Sequence, residues 1–127
     1  MIDLPALKDV NILNEKCMLK SLMDLGLTEI EALVYLYLTK QGAKNARELS
    51  ETLKLYWQQL YYTIRKMQGK GIIKASQEYP ARFSAVPFEK VLDLLIETNL
   101  KEAKKLMQNK EELLYGWRCL IEKDNLE

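Results

Sequence analysis

The chain has 127 residues, of which 48% are hydrophobic and 29% charged, and its net charge is only +1, so we expect one globular domain with its own core. No apolar run reaches the about 20 residues of a membrane span, and the N-terminus lacks the pattern of a signal peptide, which favours a cytoplasmic protein. The chain contains no histidine, and Cys17 and Cys119 lie far apart, so the sequence supports no zinc site, no other cofactor and no enzyme.

The first 24 residues predict a lead-in followed by a helix. We expect residues 1–9 to be poorly ordered, and Asn11 or Asn14 to cap a helix that runs to about the end of this segment. Cys17 lies among apolar residues and is interpreted as a small buried hydrophobic side chain. The apolar face of this helix is expected to comprise Leu13, Cys17 and Leu22.

Residues 25–87 contain the pattern of three further helices and two strands. Thr28 followed by Glu31 forms a capping box, which predicts the start of a helix that Gly42 ends. The buried stripe of this helix is expected to comprise Ile30, Leu33, Val34, Tyr35 and Leu38. Asn45 caps a short helix in the same way. The inward side chains of the short helix are expected to be Ala46, Leu49 and Leu53.

The next helix is expected over residues 57–68, because Gly69 and Gly71 follow it. Its core side chains are expected to be Leu60, Ile64 and Met67, joined by Tyr61. Two strands, over residues 72–76 and 82–86, flank a turn. Three helices followed by a hairpin predict a winged helix-turn-helix, a mainly α fold with a small β component, here with an added N-terminal helix.

The charge distribution supports nucleic-acid binding by this region. Residues 53–82 carry six cations and one acid, a net charge of +5 in a chain that is nearly neutral. A run of charged residues is usually only a solvated surface. This one coincides with the helix predicted over residues 57–68 and with the two strands that follow it. The candidate DNA-contacting residues are Asn45, Trp57, Gln58, Gln59, Tyr62, Arg65, Lys66, Lys70, Lys74, Tyr79 and Arg82.

Each class of candidate has its own expected role. Gln58 and Gln59 lie near the start of helix 57–68, where a glutamine side chain can form two hydrogen bonds with adenine in the major groove. The cations would neutralise phosphates, and Asn45 would offer a helix N-terminus to a phosphate. Trp57 and Tyr62 could instead belong to the hydrophobic core, and the glutamines could simply be solvated.

Residues 88–127 are predicted to form a long helix that starts after Pro87 and meets no further proline or glycine before Gly116. Apolar residues recur in it at alternating steps of four and three, with Lys110 as a polar interruption. This spacing is typical of an interhelical seam, so we expect a homodimer, although the helix could instead fold back on the first helix. The predicted dimer interface comprises Ile96, Leu100, Ala103, Met107, Leu114, Trp117 and Ile121.

Four segments between residues 25 and 95 carry a family resemblance: LGLTEIEALVYLYL, GAKNARELSETL, YYTIRKMQGKGII and YPARFSAVP. Together they resemble the N-terminal DNA-binding domain of TrmB-family transcriptional regulators, which are mostly archaeal winged-helix proteins. The chain stops after one long helix, whereas larger members have a separate sugar-binding effector domain, and members more often have a glycine near the position of Lys54. The resemblance therefore implies DNA binding, but neither a sugar effector nor an operator sequence.

The residues and the resemblance favour a dimeric transcriptional regulator of double-stranded DNA, with helix 57–68 in the major groove and wing 72–86 on the backbone. The alternative is a winged helix that binds another protein within a larger assembly. Helix 57–68 argues against that alternative, because it contains no acidic residue and carries glutamine, lysine and arginine. No residue pattern identifies a small-molecule effector.

Overall fold

The chain forms two compact units, one up to Leu95 and one from Ile96. The computed structural model describes residues 7–125. Its elements are α1 (Leu7–Asp24), α2 (Glu29–Gln41), β1 (Lys44–Asn45), α3 (Ala46–Leu53), α4 (Trp57–Lys70), β2 (Ile73–Ala75), β3 (Arg82–Ala85), α5 (Phe88–Gln108) and α6 (Lys110–Asn125). This order confirms the predicted winged helix-turn-helix. Between residues 7 and 125, no helix combines the length and the hydrophobicity that crossing a bilayer requires.

Helix α1 begins earlier than predicted. Residues 7–9, expected to be a poorly ordered lead-in, already belong to the helix. Asn11 and Asn14 therefore lie inside α1 and do not cap it. Residues 1–6, the rest of the predicted lead-in, lie outside the described residues.

Two predictions of buried apolar side chains in α1 and α2 are wrong. Cys17 is exposed, because at about 100° per residue it is rotated by about 140° from the fully buried Leu22. Leu33 is exposed because it is likewise five residues, or about 140°, away from Leu38, which lies on the buried face of α2. The side chain of Leu13 lies outside the described residues.

The predicted helix caps position α2 and α3 in the first unit. The Thr28 hydroxyl accepts a hydrogen bond from the Glu31 amide, and the Glu31 carboxylate accepts one from the Thr28 amide. Gly42 follows the end of α2 with φ 83°, and the Asn45 side chain accepts from the Glu48 amide at 2.8 Å to cap α3. The apolar core of this unit comprises Leu22, Leu27, Ala32, Val34, Tyr35, Leu38, Leu49, Leu60, Ile64, Met67, Ile72, Ile73, Val86, Val91 and Leu95.

Three short antiparallel strands form the wing sheet in the order β1–β3–β2. Strands β2 and β3 are the predicted hairpin, shortened at its ends, with Ile73 opposite Ala85. Strand β1 is an addition, because two residues, Lys44 and Asn45, are too few to give an alternating pattern in the sequence. Asn45 lies opposite Arg82, so the wing is attached to the start of α3.

The predicted single C-terminal helix is two helices that meet at Asn109, and Gly116 lies inside the second of them. Helical hydrogen bonding nevertheless continues through the junction. The Asn109 amide donates to the carbonyl of Lys105 at 3.1 Å, and the Asn109 carbonyl accepts from the amide of Leu113 at 3.0 Å. The junction lies directly before Lys110, which is also the polar interruption of the apolar pattern.

Candidate nucleic-acid interface

Helix α4 is anchored to the core by one face. That face consists of the buried residues Leu60, Thr63, Ile64 and Met67, three of which the sequence predicts. The Thr63 hydroxyl donates to the Gln59 carbonyl at 2.8 Å, so its polar atom is satisfied inside the helix. The helix ends at Lys70, two residues later than predicted, and Gly71 follows in the left-handed conformation with φ 78°. The remaining faces of α4 are free to contact a ligand.

The turn between α3 and α4 fixes the start of α4. Lys54 has φ 53°, a left-handed conformation that favours glycine over other residues. The Ser50 hydroxyl donates to the carbonyl of Leu55 at 2.8 Å, and the Leu55 amide donates to the carbonyl of Ser50 at 3.1 Å. The first turn of α4 contains no acid, so its N-terminal amides and the helix dipole favour an anion there.

Lys70 was predicted to contact phosphate, but its ammonium is paired with Glu31. Its Nζ lies 3.0 and 2.9 Å from the two carboxylate oxygens of Glu31, whose side chain is 1% exposed. Burial raises the pKa of Glu31, but the hydrogen bond from the Thr28 amide and the contact with Lys70 outweigh it, so the pKa is lowered overall. The pair ties the end of α4 to the first turn of α2.

Tyr61 is 50% exposed, so its predicted place in the core is wrong. It lies one turn from Trp57 and one turn from Arg65, on an exposed face of α4. The Arg65 guanidinium carbon lies 4.8 Å from the centroid of the Tyr61 ring, and the Lys66 Nζ lies 5.0 Å from that of Tyr62. The four-residue spacing of Trp57, Tyr61 and Arg65 is the signal in the sequence that would have revealed this face.

A shallow cavity of about 300 Å³ opens on this face, and the structure brings most of the candidates on α4 together around it. Its lining comprises Trp57, Gln58, Tyr61, Tyr62 and Arg65. Gln59 and Lys66 are exposed on the same helix but do not line the cavity. The combination of flat rings, an amide and a guanidinium can stack on, hydrogen-bond and attract a nucleic acid.

The wing and the start of α3 hold the other candidates. Arg82 donates from Nη2 to the carbonyl of Ala43 at 3.1 Å, so it braces the wing against the segment before β1. Lys74 and Tyr79 are exposed, and Tyr79 lies in the turn of the hairpin. The Asn45 side chain is already used in capping α3. Lys74 and Tyr79 are therefore the wing residues with side chains available to a ligand.

The second unit exposes the predicted dimer stripe. Its seven residues, from Ile96 to Ile121, are all exposed, and Leu100 and Met107 are among the large apolar side chains with most of their surface accessible. Three further exposed leucines widen the stripe at seven-residue spacing, namely Leu106, Leu113 and Leu120. Exposed apolar surfaces of this kind are typical of interaction sites.

Comparisons with known proteins agree with this architecture. The family model described as "Sugar-specific transcriptional regulator TrmB" matches residues 22–89. Among solved structures, TrmBL2, an archaeal chromatin protein with a novel mode of DNA binding, is 23% identical with a TM-score of 0.65, over 90% of this chain and 46% of its own. The transcriptional regulator Tm0710 from Thermotoga maritima is 18% identical with a TM-score of 0.55, over 94% and 90% of the two chains.

A possible transcriptional regulator from Methanosarcina mazei Go1 is 20% identical with a TM-score of 0.56, over 88% of this chain and 95% of its own. No curated protein matches the chain. The chain spans about half the length of TrmBL2. At these identities the likeness to solved structures shows the shared winged-helix fold, and the family model adds the family.

Proposed function

Because the chain belongs to the TrmB family of transcriptional regulators, we propose that it binds specific sites in double-stranded DNA as a homodimer and so regulates transcription. Helix α4 is the recognition helix in the major groove, and the wing contacts the DNA backbone. This assignment follows the docking geometry of helix-turn-helix proteins, in which residues near the start of the second helix of the motif reach base edges.

The observation that carries the proposal is the division of α4 into a buried and a functional face. The buried face fixes the helix in the first unit, while Gln58, Gln59, Arg65 and Lys66 are all exposed. No acid occurs between residues 52 and 77, so phosphates meet no like charge along this helix. A neutral amide pair beside two cations supplies both base reading and phosphate neutralisation.

The homodimer is proposed on the apolar stripe of the second unit. Steps of four and three residues keep the stripe on one side of a helix, which is the pattern that a second helix of the same kind covers. A twofold axis would pair the stripe with itself, since the interface of a symmetric dimer is self-complementary. Such a dimer would read two half-sites spaced by about one helical turn, ~34 Å.

The proposal predicts that Gln58→Ala or Gln59→Ala weakens binding to the preferred site by about 1–3 kcal/mol, the usual discrimination of a bidentate base contact. Binding to a random duplex should barely change, because glutamine neutralises no phosphate. The preferred site is first selected from genomic fragments, and the two DNAs then compete for the protein.

Gln68→Ala is the matched control, since Gln68 is exposed near the other end of α4, and circular dichroism checks the fold. Equal loss on both DNAs would mean that the glutamines contact only the backbone. The absence of any preferred duplex would overturn the proposed sequence-specific function.

A further inference from the structure

The start of α4 exposes four aromatic side chains that the reading of base edges does not explain. This aromatic surface consists of Tyr56 at 84%, Trp57 at 56%, Tyr61 at 50% and Tyr62 at 62% exposure. Single exposed aromatic residues are ordinary, but a contiguous apolar patch marks a binding site. Trp57, Tyr61 and Tyr62 line one shallow cavity and so form such a patch, and Tyr56 directly precedes them as the N-cap residue of α4.

Cations sit directly on this patch. Arg65 lies over the ring of Tyr61, and its Nη2 also donates to the Tyr61 hydroxyl at 3.3 Å, while Lys66 lies over the ring of Tyr62. These contacts bias the orientation of the two rings and place positive charge around them. Aromatic rings beside cations are the combination that binds single strands, because bases stack on the rings and phosphates pair with the cations.

The shallow cavity on α4 combines aromatic and polar side chains in its lining. Three rings of the aromatic surface form its walls, and Gln58 and Arg65 add hydrogen-bonding groups at its lining. In a paired duplex the flat faces of the bases are covered by their neighbours, so these rings could touch only base edges and sugars. The same rings can stack when a base is unpaired.

We therefore infer that the aromatic surface binds unpaired bases, so that the protein binds single-stranded DNA and melted duplex in addition to the paired site. The inference rests on the proposed DNA-binding role of α4 and names a second form of DNA that the same face takes. Tyr61 and Tyr62, held by their cations, and Trp57 are the stacking residues.

The two tryptophans of the chain, Trp57 and Trp117, allow a direct test. The Trp117→Phe variant leaves Trp57 as the fluorescent reporter of the aromatic surface, and the Trp57→Phe variant leaves Trp117 as its control. Stacking should quench Trp57 when a single-stranded oligonucleotide, or a duplex with an unpaired centre, is added. The fully paired duplex should quench Trp57 much less, and Trp117 should respond to none of them.

Affinity provides the second measurement. Trp57→Leu with Tyr62→Leu keeps apolar side chains but removes two rings, and should weaken single-strand binding roughly tenfold or more. Duplex binding should weaken by a smaller factor, because in a paired duplex these two rings can contact only base edges and sugars. Tyr115→Leu, which alters an exposed tyrosine of the second unit, should change neither.

The outcomes separate this inference from the proposed function. Duplex binding that depends on Gln58 or Gln59, with no response of Trp57 to single strands, would overturn the stacking inference and leave the regulator intact. Quenching of Trp57 by single strands, with no preferred duplex found, would support the stacking inference and overturn the proposed sequence-specific function. Equal losses on both DNAs in the double variant, or tighter binding to RNA of the same sequence, would also overturn the inference.

Discussion

Glu31 and Lys70 form a charge pair that connects α4 to α2 in the first unit. The Glu31 carboxylate is buried, and a buried charge is tolerated only when it is paired and hydrogen-bonded. Here it serves twice, because it closes the capping box of α2 and holds the ammonium of Lys70 at the end of α4. The pair therefore links the end of α4 to the start of α2.

Glu31→Gln is expected to lower the free energy of unfolding by about 1–2 kcal/mol at neutral pH. Glutamine keeps the shape but loses the charge opposite Lys70, whose own side chain is 35% exposed and partly screened. Because folding lowers the pKa of Glu31 from 4.5, its carboxylate stabilises the fold above that pH, and this contribution is lost as the pH falls through the folded pKa.

Urea unfolding of both proteins at neutral pH and at about pH 3 measures this difference, which should shrink in acid. Glu29→Gln is the control, because Glu29 is an exposed acid in the same helical turn. A difference that is as large in acid as at neutral pH would contradict the assignment.

Single residues also show how far the sequence could predict the site. The cap of Thr28 and Glu31 was predictable because it depends on residues three apart in the chain. The contact between Glu31 and Lys70 was not, because it joins residues 39 positions apart on two helices. The exposure of Tyr61 was missed because hydrophobicity alone assigned it to the nearest apolar face.

At the level of elements, the proposed DNA contacts are divided between α4 and the wing. Helix α4 carries the amides and rings, while Lys74 lies on the exposed part of β2. Arg82 is different, because its guanidinium is bound to the carbonyl of Ala43 and lies 3.9 Å from the carboxylate of Glu48. It therefore braces the wing, and removing it would change the fold of the wing as well as its charge.

Lys66→Ala with Lys74→Ala is expected to weaken binding to every duplex and to flatten its salt dependence. The slope of log affinity against log salt should fall by about 1–2, since each lost phosphate contact removes about 0.9. Titrations of a random duplex at several salt concentrations measure the slope. The control, Lys104→Ala with Lys105→Ala, removes the same charge from α5, and an equal effect there would mean that only net charge matters.

Helices with strong local signals were predicted to within a few residues, whereas the weakest elements were missed. Strand β1 exists because β3 pairs with it, and its two residues carry no pattern of their own. Lys54 adopts a left-handed conformation that glycine takes without strain, and a lysine in the sequence does not announce such a turn. The junction at Asn109 had no glycine or proline to announce it.

For the molecule as a whole, the two units carry different surfaces: the first bears the basic and aromatic face of α4, and the second the apolar stripe. A helix with a long exposed apolar stripe is unfavourable in water, at about 25 cal/mol for each Å² left uncovered. In the proposed homodimer, a second copy of the chain would cover the stripe and supply a second α4, so that dimerisation would also allow two half-sites to be read.

Leu100→Asp with Met107→Asp is therefore expected to turn a dimer into monomers, because two carboxylates would be buried unpaired at the seam. Light scattering at micromolar concentration measures the mass of each protein, and circular dichroism checks that the variant is still helical. Lys101→Asp with Lys105→Asp places two acids on the other side of α5, with twice the change in net charge, and should remain dimeric because those positions lie off the stripe. A monomeric wild-type protein would refute the dimer. A dimer that survives the stripe substitutions would place the interface elsewhere.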